Sequence, residues 1–476
     1  MSKYSKLLKN TAWVFCGSVG CRTLQFLLLP YLTAWLTPAE YGVKDLLVIY
    51  ATVLAGLFSF KIEDAVFFYA AGRNRQGRAG AFSLALSFTL VQSMIWGVIL
   101  CIGGRIASPG SFFSEFWLWL FGITLGSVLF TLLQKFCRAT DHMALYSLSG
   151  GVYTAITVAG ALILIPRFRL QGYLAAILLG YFSGAFVLFA VLRPGVFWGR
   201  TAQRWIMLKK MLGYSFPVLL NTLIWIITTS FNRPLLAHWD SLEAVGLFAI
   251  ANKIPLLLDS VWSIFFNSWQ LSAVQEYHQP GFSRYFNRIA KLNWKIFIFA
   301  CSLLTIGVVY YVPLFFGKAY YPVLRYIPLL LAGIVFSIFS GLWGSVFTAS
   351  GKSKYFFYCA IITLAVSLLL NFGLIPAFGI WGAVWALTGT LFTQFLSRGY
   401  IAHRLVKLTD FGEGLIVWGA FVSILVAFYF VRLEILRRCI YGAALLLESY
   451  FLYRELKFLR KVSFLSKIPA LFSLGR

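Results

Sequence analysis

Acidic residues are scarce in this chain. Only 15 Asp and Glu stand against 41 Lys and Arg in 476 residues, and charged residues of both signs make up 12%. That is about half the charged share of an ordinary soluble domain. Histidine is rarer still, with four scattered copies at no metal-ligand spacing. The seven cysteines (Cys16, Cys21, Cys101, Cys137, Cys301, Cys359 and Cys439) lie singly in or beside apolar runs. They read as small buried hydrophobes, with neither a disulfide framework nor a zinc site. Loops long enough to hold an external catalytic domain are missing too. A membrane-embedded glycosyltransferase or polymerase usually needs such a domain, with acidic residues for its chemistry. No enzyme activity and no cofactor are expected.

Apolar surface is what the chain has in abundance: 60% hydrophobic and 18% aromatic residues, with a mean hydropathy of +0.81. No globular core needs that much; a bilayer does. Apolar stretches recur that can cross a hydrocarbon layer of ~30 Å as helices. The expected spans are 11–35, 43–70, 79–103, 112–137, 143–166 and 174–192, then 216–236, 245–270, 294–316, 326–348, 356–376 and 381–401, then 415–431 and 439–452. The fold class is therefore an all-α polytopic membrane protein of about 14 transmembrane helices, two six-helix repeats plus two C-terminal helices. Ser18-Val19-Gly20-Cys21 faintly resembles a lipoprotein cleavage site. The Leu that should begin that pattern is missing and apolar sequence runs past it, so the first span is expected to be retained.

Two internal matches support the repeat. Pro30, Leu32, Trp35 and Gly42 correspond to Pro234, Leu236, Trp239 and Gly246, at an offset of 234 − 30 = 204. Leu164-Ile165-Pro166, Phe168, Leu170, Gly172 and Ala176 correspond to Leu374-Ile375-Pro376, Phe378, Ile380, Gly382 and Ala386, at 374 − 164 = 210. Leu and Ile recur cheaply in apolar sequence, but Pro, Trp and Gly held in register do not. The expected divisions are 1–193 for the first half, 194–408 for the second, and 409–476 for two extra helices and a basic tail.

Charge sets the orientation. With the amino terminus in the cytoplasm, about 28 of the 41 Lys and Arg fall in cytoplasmic segments and about 10 outside. The inner clusters include Arg73, Arg75 and Arg78; Arg193, Arg200, Arg204, Lys209 and Lys210; and Arg454, Lys457, Arg460 and Lys461. Both termini are expected in the cytoplasm. The excess of positive charge is then topology, and no nucleic-acid partner is implied. Six helices separate the copies, so both halves enter the membrane the same way round. An axis along the membrane normal should relate them, with a cavity between.

Ionisable groups at membrane depth are costly, roughly 2.5–3.5 kcal/mol each on insertion scales, and mark pathways. Here they are Arg22 in the first span, Lys61, Glu63 and Asp64 in the second, Lys253 and Asp259 in the eighth, and Glu448 in the last. In the eighth span Asn252, Lys253, Asp259, Ser260, Ser263, Asn267 and Gln270 project within an arc of roughly 120°. Pro255 can kink that helix and release a carbonyl. Thr11, Ser18, Arg22, Gln25 and Thr33 share about 80° of the first span, and Tyr214, Asn221, Trp225, Thr228 and Asn232 about 60° of the seventh, with Arg233 beside them. Single Ser and Thr residues of this kind commonly just bind helices together. Lys61 and Asp64, spaced i,i+3, suit a mutual ion pair as well as a transport role. Arg22 and Lys253 have no acidic partner close on their own faces and are expected to line a water-filled cationic cavity.

The run Leu27, Pro30, Leu32, Leu36, Pro38, Glu40-Tyr41-Gly42, Asp45-Leu46 resembles the junction of the first two helices in polysaccharide and O-antigen flippases. These form the oligosaccharide-transport branch of the multidrug/oligosaccharidyl-lipid/polysaccharide exporter superfamily. Glu243-Ala244-Val245-Gly246 with Ala251-Asn252-Lys253-Ile254-Pro255 resembles the start of that family's eighth helix. Asn371, Leu374-Ile375-Pro376, Phe378-Gly379-Ile380 and Gly382-Ala383 resemble its junction of helices eleven and twelve. The family often carries an acidic residue before the Arg at 233; this chain has Asn232, so no acid–base pair is implied there.

The resemblance implies alternating-access transport of an undecaprenyl-pyrophosphate-linked oligosaccharide to the outer leaflet of the bacterial cytoplasmic (inner) membrane. Polysaccharide, O-antigen lipopolysaccharide or capsule biosynthesis would use the product. A pyrophosphate suits Arg22, Lys61, Lys253 and Arg233 as compensating charges. Gln25, Asn221, Trp225, Asn252, Ser260 and Asn267 would line the sugar path, with Trp262 a further stacking candidate. Glu63, Asp64 and Asp259 are the candidates for proton or sodium coupling. Besides the lipid-linked substrate, the expected partners are membrane lipids, a glycan polymerase and glycosyltransferases. Four other readings stay open. A lipid II-type flippase would have the same cationic cavity, whereas a cation-coupled multidrug exporter favours an acidic one. A major-facilitator transporter is loosely suggested by Asn74-Arg75-Gln76-Gly77-Arg78, and a scaffold for the glycan machinery would leave the cavity charges dispensable.

Overall fold

Thr37 and Ser241 do the same work 241 − 37 = 204 residues apart. In the computed structural model, which describes residues 20–21, 23–71, 75–192, 204–352, 354–407 and 412–461, each starts a helix as its N-cap. The Thr37 hydroxyl accepts from the Glu40 N–H at 3.3 Å, and the Ser241 hydroxyl from the Ala244 N–H at 3.1 Å. Both satisfy a helix-start donor that would otherwise lack a partner. The second landmark repeats as well. Arg169 (φ 46°, ψ −122°) and Gly379 (φ 54°, ψ −127°) break the chain between successive helices at the same point, at 379 − 169 = 210. A Cβ added at Gly172 would strike the Leu164 carbonyl, and one at Gly382 the Leu374 carbonyl, so both tight returns require glycine. The sequence repeat is a repeat of backbone geometry.

Among the described residues the regular elements are helices, without a strand. In chain order they are α1 Leu29–Trp35, α2 Pro38–Ser59, α3 Ile62–Ala70, α4 Arg75–Ile106, α5 Phe112–Ala139, α6 Met143–Leu192, α7 Arg204–Ser230 and α8 Asn232–Trp239. Then follow α9 Leu242–Ala251, α10 Lys253–Glu276, α11 Phe282–Phe315, α12 Ile327–Ala349, α13 Lys354–Phe378, α14 Ile380–Val406, α15 Gly412–Phe430 and α16 Glu434–Lys461, with a 3-10 helix at Lys318–Arg325. Ten helical stretches among the described residues are long and apolar enough to cross a membrane; α6, kinked at Arg169, is one of them. The protein is an all-α polytopic membrane protein.

Several element boundaries differ from the expected spans, each for a local reason. The second span is two helices, because Phe60 and Lys61 both take left-handed backbone (φ 48° and 56°) without a proline or glycine to announce it. The fifth span runs past Pro166 to Arg169. Proline there withholds the N–H that would bond the Leu162 carbonyl, and the Tyr31 hydroxyl donates to that carbonyl instead, at 2.9 Å. The eighth span breaks at Asn252, three residues before Pro255.

The chain separates into two compact units, Met1–Phe231 and Asn232–Arg476. The expected division at 193/194 put the seventh span in the second half; α7 instead packs on α2, α3 and α4 of the first unit. In that unit Phe82 and Phe136 meet at 4.5 Å in a core with Ile62, Val66 and Leu188. In the second unit α12 is the central helix, packed against α10, α11 and α14. The last two helices, α15 and α16, pack against α11 and each other.

Candidate functional site

In the first unit, ionisable groups gather at the break between α2 and α3. The Lys61 N–H donates to the Ser59 hydroxyl at 3.1 Å, and its carbonyl accepts from the Ser215 hydroxyl of α7 at 3.0 Å, so the broken turn is tied to a neighbouring helix. Lys61 and Asp64 do not pair with each other. The left-handed turn directs Lys61 to Glu63, at 3.4 Å, while Asp64 forms an ion pair with Lys135 of α5. Glu63 is buried and its second carboxylate oxygen has no hydrogen-bond partner. Nothing in the sequence marks Lys135. A cation near the inner end of a span looks like ordinary topology, and its partner is 71 residues away.

Of the other first-unit candidates, Gln25 is exposed, as are Asn221 and Trp225 on α7. Arg22 lies outside the described residues. The same is true of Asn74.

In the second unit α10 shows two distinct faces. Pro255, Trp262, Trp269 and Ala273 are buried. Trp262 packs on Phe265, Phe266 and Phe297, and the Trp269 indole N–H donates to the Ser345 hydroxyl at 2.9 Å. Trp262 is thus a core residue, and the expectation that it meets sugar fails. Around the helix from this stripe, Asn252, Lys253, Asp259, Ser260 and Ser263 stay half-buried and Asn267 exposed. The Ser260 and Ser263 hydroxyls donate back along the helix to Leu256 and Ser260 carbonyls, at 2.9 and 2.7 Å. The polar arc is therefore held away from the unit's packed interior.

Arg233 is placed differently. It is 8% exposed, with its guanidinium 5.4 Å from the centre of the Phe248 ring, and Asn232 beside it is buried. Cation and ring face hold the α8–α9 corner together.

A second cluster of charges joins residues too far apart in sequence for any spacing to mark it. Lys295 of α11 is 1% exposed and donates to Glu413 of α15 at 2.9 Å and Glu455 of α16 at 2.6 Å; Arg454 also bonds Glu413. The Trp294 indole donates to the Gly414 carbonyl at 2.9 Å. Together these fasten the last two helices to α11. No group of three or more His, Cys, Asp or Glu able to hold a metal ion occurs among the described residues.

No curated protein sequence matches the chain. Among solved structures, a lipid II flippase MurJ in an inward closed conformation is similar with a TM-score of 0.69 at 13% identity, covering 94% of this chain and 99% of that one. An inward-facing multidrug resistance MATE family transporter of the MOP superfamily is similar at 0.61 and 14% identity, covering 82% and 96%. At such identities the likeness is one of fold. The family model described as polysaccharide biosynthesis protein matches residues 7–269, more than half of the 476. The chain belongs to the polysaccharide biosynthesis protein family.

Proposed function

We propose that this protein is a flippase that carries an undecaprenyl-pyrophosphate-linked oligosaccharide across the bacterial cytoplasmic membrane by alternating access. The observation that carries this reading is the divided face of α10. Its Trp262–Trp269 stripe is buried, while Asn252, Lys253, Ser260 and Asn267 stay outside the packed interior of their unit. A cation and amides on a membrane helix, outside the packed interior of their unit, are groups that water or a polar substrate can reach. A pyrophosphate supplies charge for Lys253 and Arg22, and sugars supply hydroxyls for the amides. The family match and the transporter fold both support transport over catalysis. Ionic coupling, and an orientation with both termini in the cytoplasm, belong to the same reading.

Lys253→Gln in cells tests it. The variant should insert normally, accumulate lipid-linked oligosaccharide on the inner leaflet and lose surface glycan. Normal surface glycan would count against it. A lipid II-type substrate is the second reading, favoured by the likeness to the lipid II flippase fold. Accumulated lipid II with unchanged surface polysaccharide would select it.

A further inference from the structure

Glu448 of α16 lies where α11, α15 and α16 pack together, and is 1% exposed. The Ser302 hydroxyl of α11 donates to its Oε1 at 2.8 Å. Its Oε2 is buried with no hydrogen-bond partner, and so is the hydroxyl of Thr305, three residues along α11 from Ser302. The adjoining core is apolar: Ala420 and Ile424 from α15 and Ala444 from α16, with Ile306 and Tyr441 against them. Nearby titratable groups are Cys301 of α11 and Tyr441 of α16, both uncharged as thiol and phenol; α15 contributes apolar residues here. Among the described residues no Lys or Arg nitrogen reaches Glu448.

Other carboxylates of the bundle are held differently. Glu63 has Lys61, Asp64 has Lys135, and Glu413 and Glu455 share Lys295. An anionic carboxylate in the Glu448 setting would lack compensation on one oxygen in an apolar, membrane-depth site, which is prohibitively costly beside the neutral acid. A metal cation would find the Glu448 carboxylate and the Ser302 hydroxyl, too few oxygens to replace its hydration shell. A proton needs a single acceptor.

We propose that Glu448 is a proton-binding site, protonated on Oε2 with Ser302 holding Oε1, and that it carries the coupling proton of transport. Binding takes one proton from water onto the carboxylate, and release returns it to water when the contact of α16 with α11 loosens. The coupling role rests on the transport reading above; the proton binding does not.

Infrared spectroscopy of the full-length protein in lipid bilayers tests the site. The wild type should show a carboxylic-acid C=O band that Glu448→Gln lacks and that fades as pH is raised. Ser302→Ala should keep the band but move it to higher frequency, because Oε1 loses its donor. Glu448→Gln, a neutral isostere, should insert and melt like the wild type. Identical spectra of wild type and Glu448→Gln at every pH would overturn the proposal, as would failure of the Gln variant to insert. The coupling role is read in vesicles of the same protein under an imposed pH gradient. Glu448→Gln should lose the gradient's acceleration of flipping while retaining gradient-independent flipping. Acceleration equal to the wild type's would overturn coupling. A wild type that flips nothing but shows the band would leave the proton site standing and sink the flippase reading.

Discussion

Arg169 and Gly379 hold the same turn in the two copies of the repeat, one as an arginine and the other as a glycine, with φ of 46° and 54°. The conformation suits glycine and strains arginine by roughly 1–3 kcal/mol. The Arg169 guanidinium donates to Glu40 at 3.0 Å, but that pair is largely exposed and contributes about 0–1 kcal/mol. Arg169→Gly is therefore expected to raise the thermal midpoint of the purified protein. Gly379→Ala should lower it, since a φ of 54° suits glycine and strains alanine. A lower midpoint for Arg169→Gly would mean that the ion pair outweighs the strain.

The partner of Asp64 is Lys135, across two helices, and a double-mutant cycle can show it. Asp64→Asn with Lys135→Gln should give a coupling of about 0.5–3 kcal/mol in unfolding free energy. Asp64→Asn with Lys61→Gln should give much less. Equal coupling for both pairs would contradict the assignment of Lys61 to Glu63.

Lys295 fastens α15 and α16 to the rest of their unit. Lys295→Met leaves the half-buried Glu455 without its cation while Glu413 keeps Arg454, and losing these charge-assisted bonds costs about 1.5–3 kcal/mol. The variant should unfold at markedly lower denaturant or temperature. Adding Glu413→Gln and Glu455→Gln should recover much of the loss. No recovery would make Lys295 a packing residue.

What the sequence disclosed follows from which interactions are local. The landmarks at Gly172 and Gly382 and the polar arc of α10 each depend on residues within a few turns, so spacing alone exposes them, whereas the caps at Thr37 and Ser241 show only in the structure. The break at Phe60–Lys61 carries no proline or glycine and depends on Ser215, 154 residues away. The Lys295 cluster joins residues 118 and 160 apart, beyond any periodicity. The burial of Trp262 is hidden from spacing for a related reason. An indole near a polar arc can face sugar or core, and only the packing of Phe297 against it decides. The packing of α7 on α2, α3 and α4 is likewise set by contacts distant in sequence.

Transport itself is tested most directly with the purified protein in vesicles loaded with undecaprenyl-pyrophosphate-linked oligosaccharide. The quantity to measure is the rate at which the glycan becomes accessible to an enzyme or lectin on the opposite leaflet. The wild type should speed this well above protein-free vesicles. At limiting substrate, Lys253→Gln and Arg22→Gln should each slow it about ten- to hundred-fold, the loss of one charge-assisted contact of about 1.5–3 kcal/mol. Arg22→Lys should keep part of the rate, because the charge survives while the bidentate fork is lost. Accessibility no faster than in protein-free vesicles, with correctly inserted wild-type protein, would contradict the account.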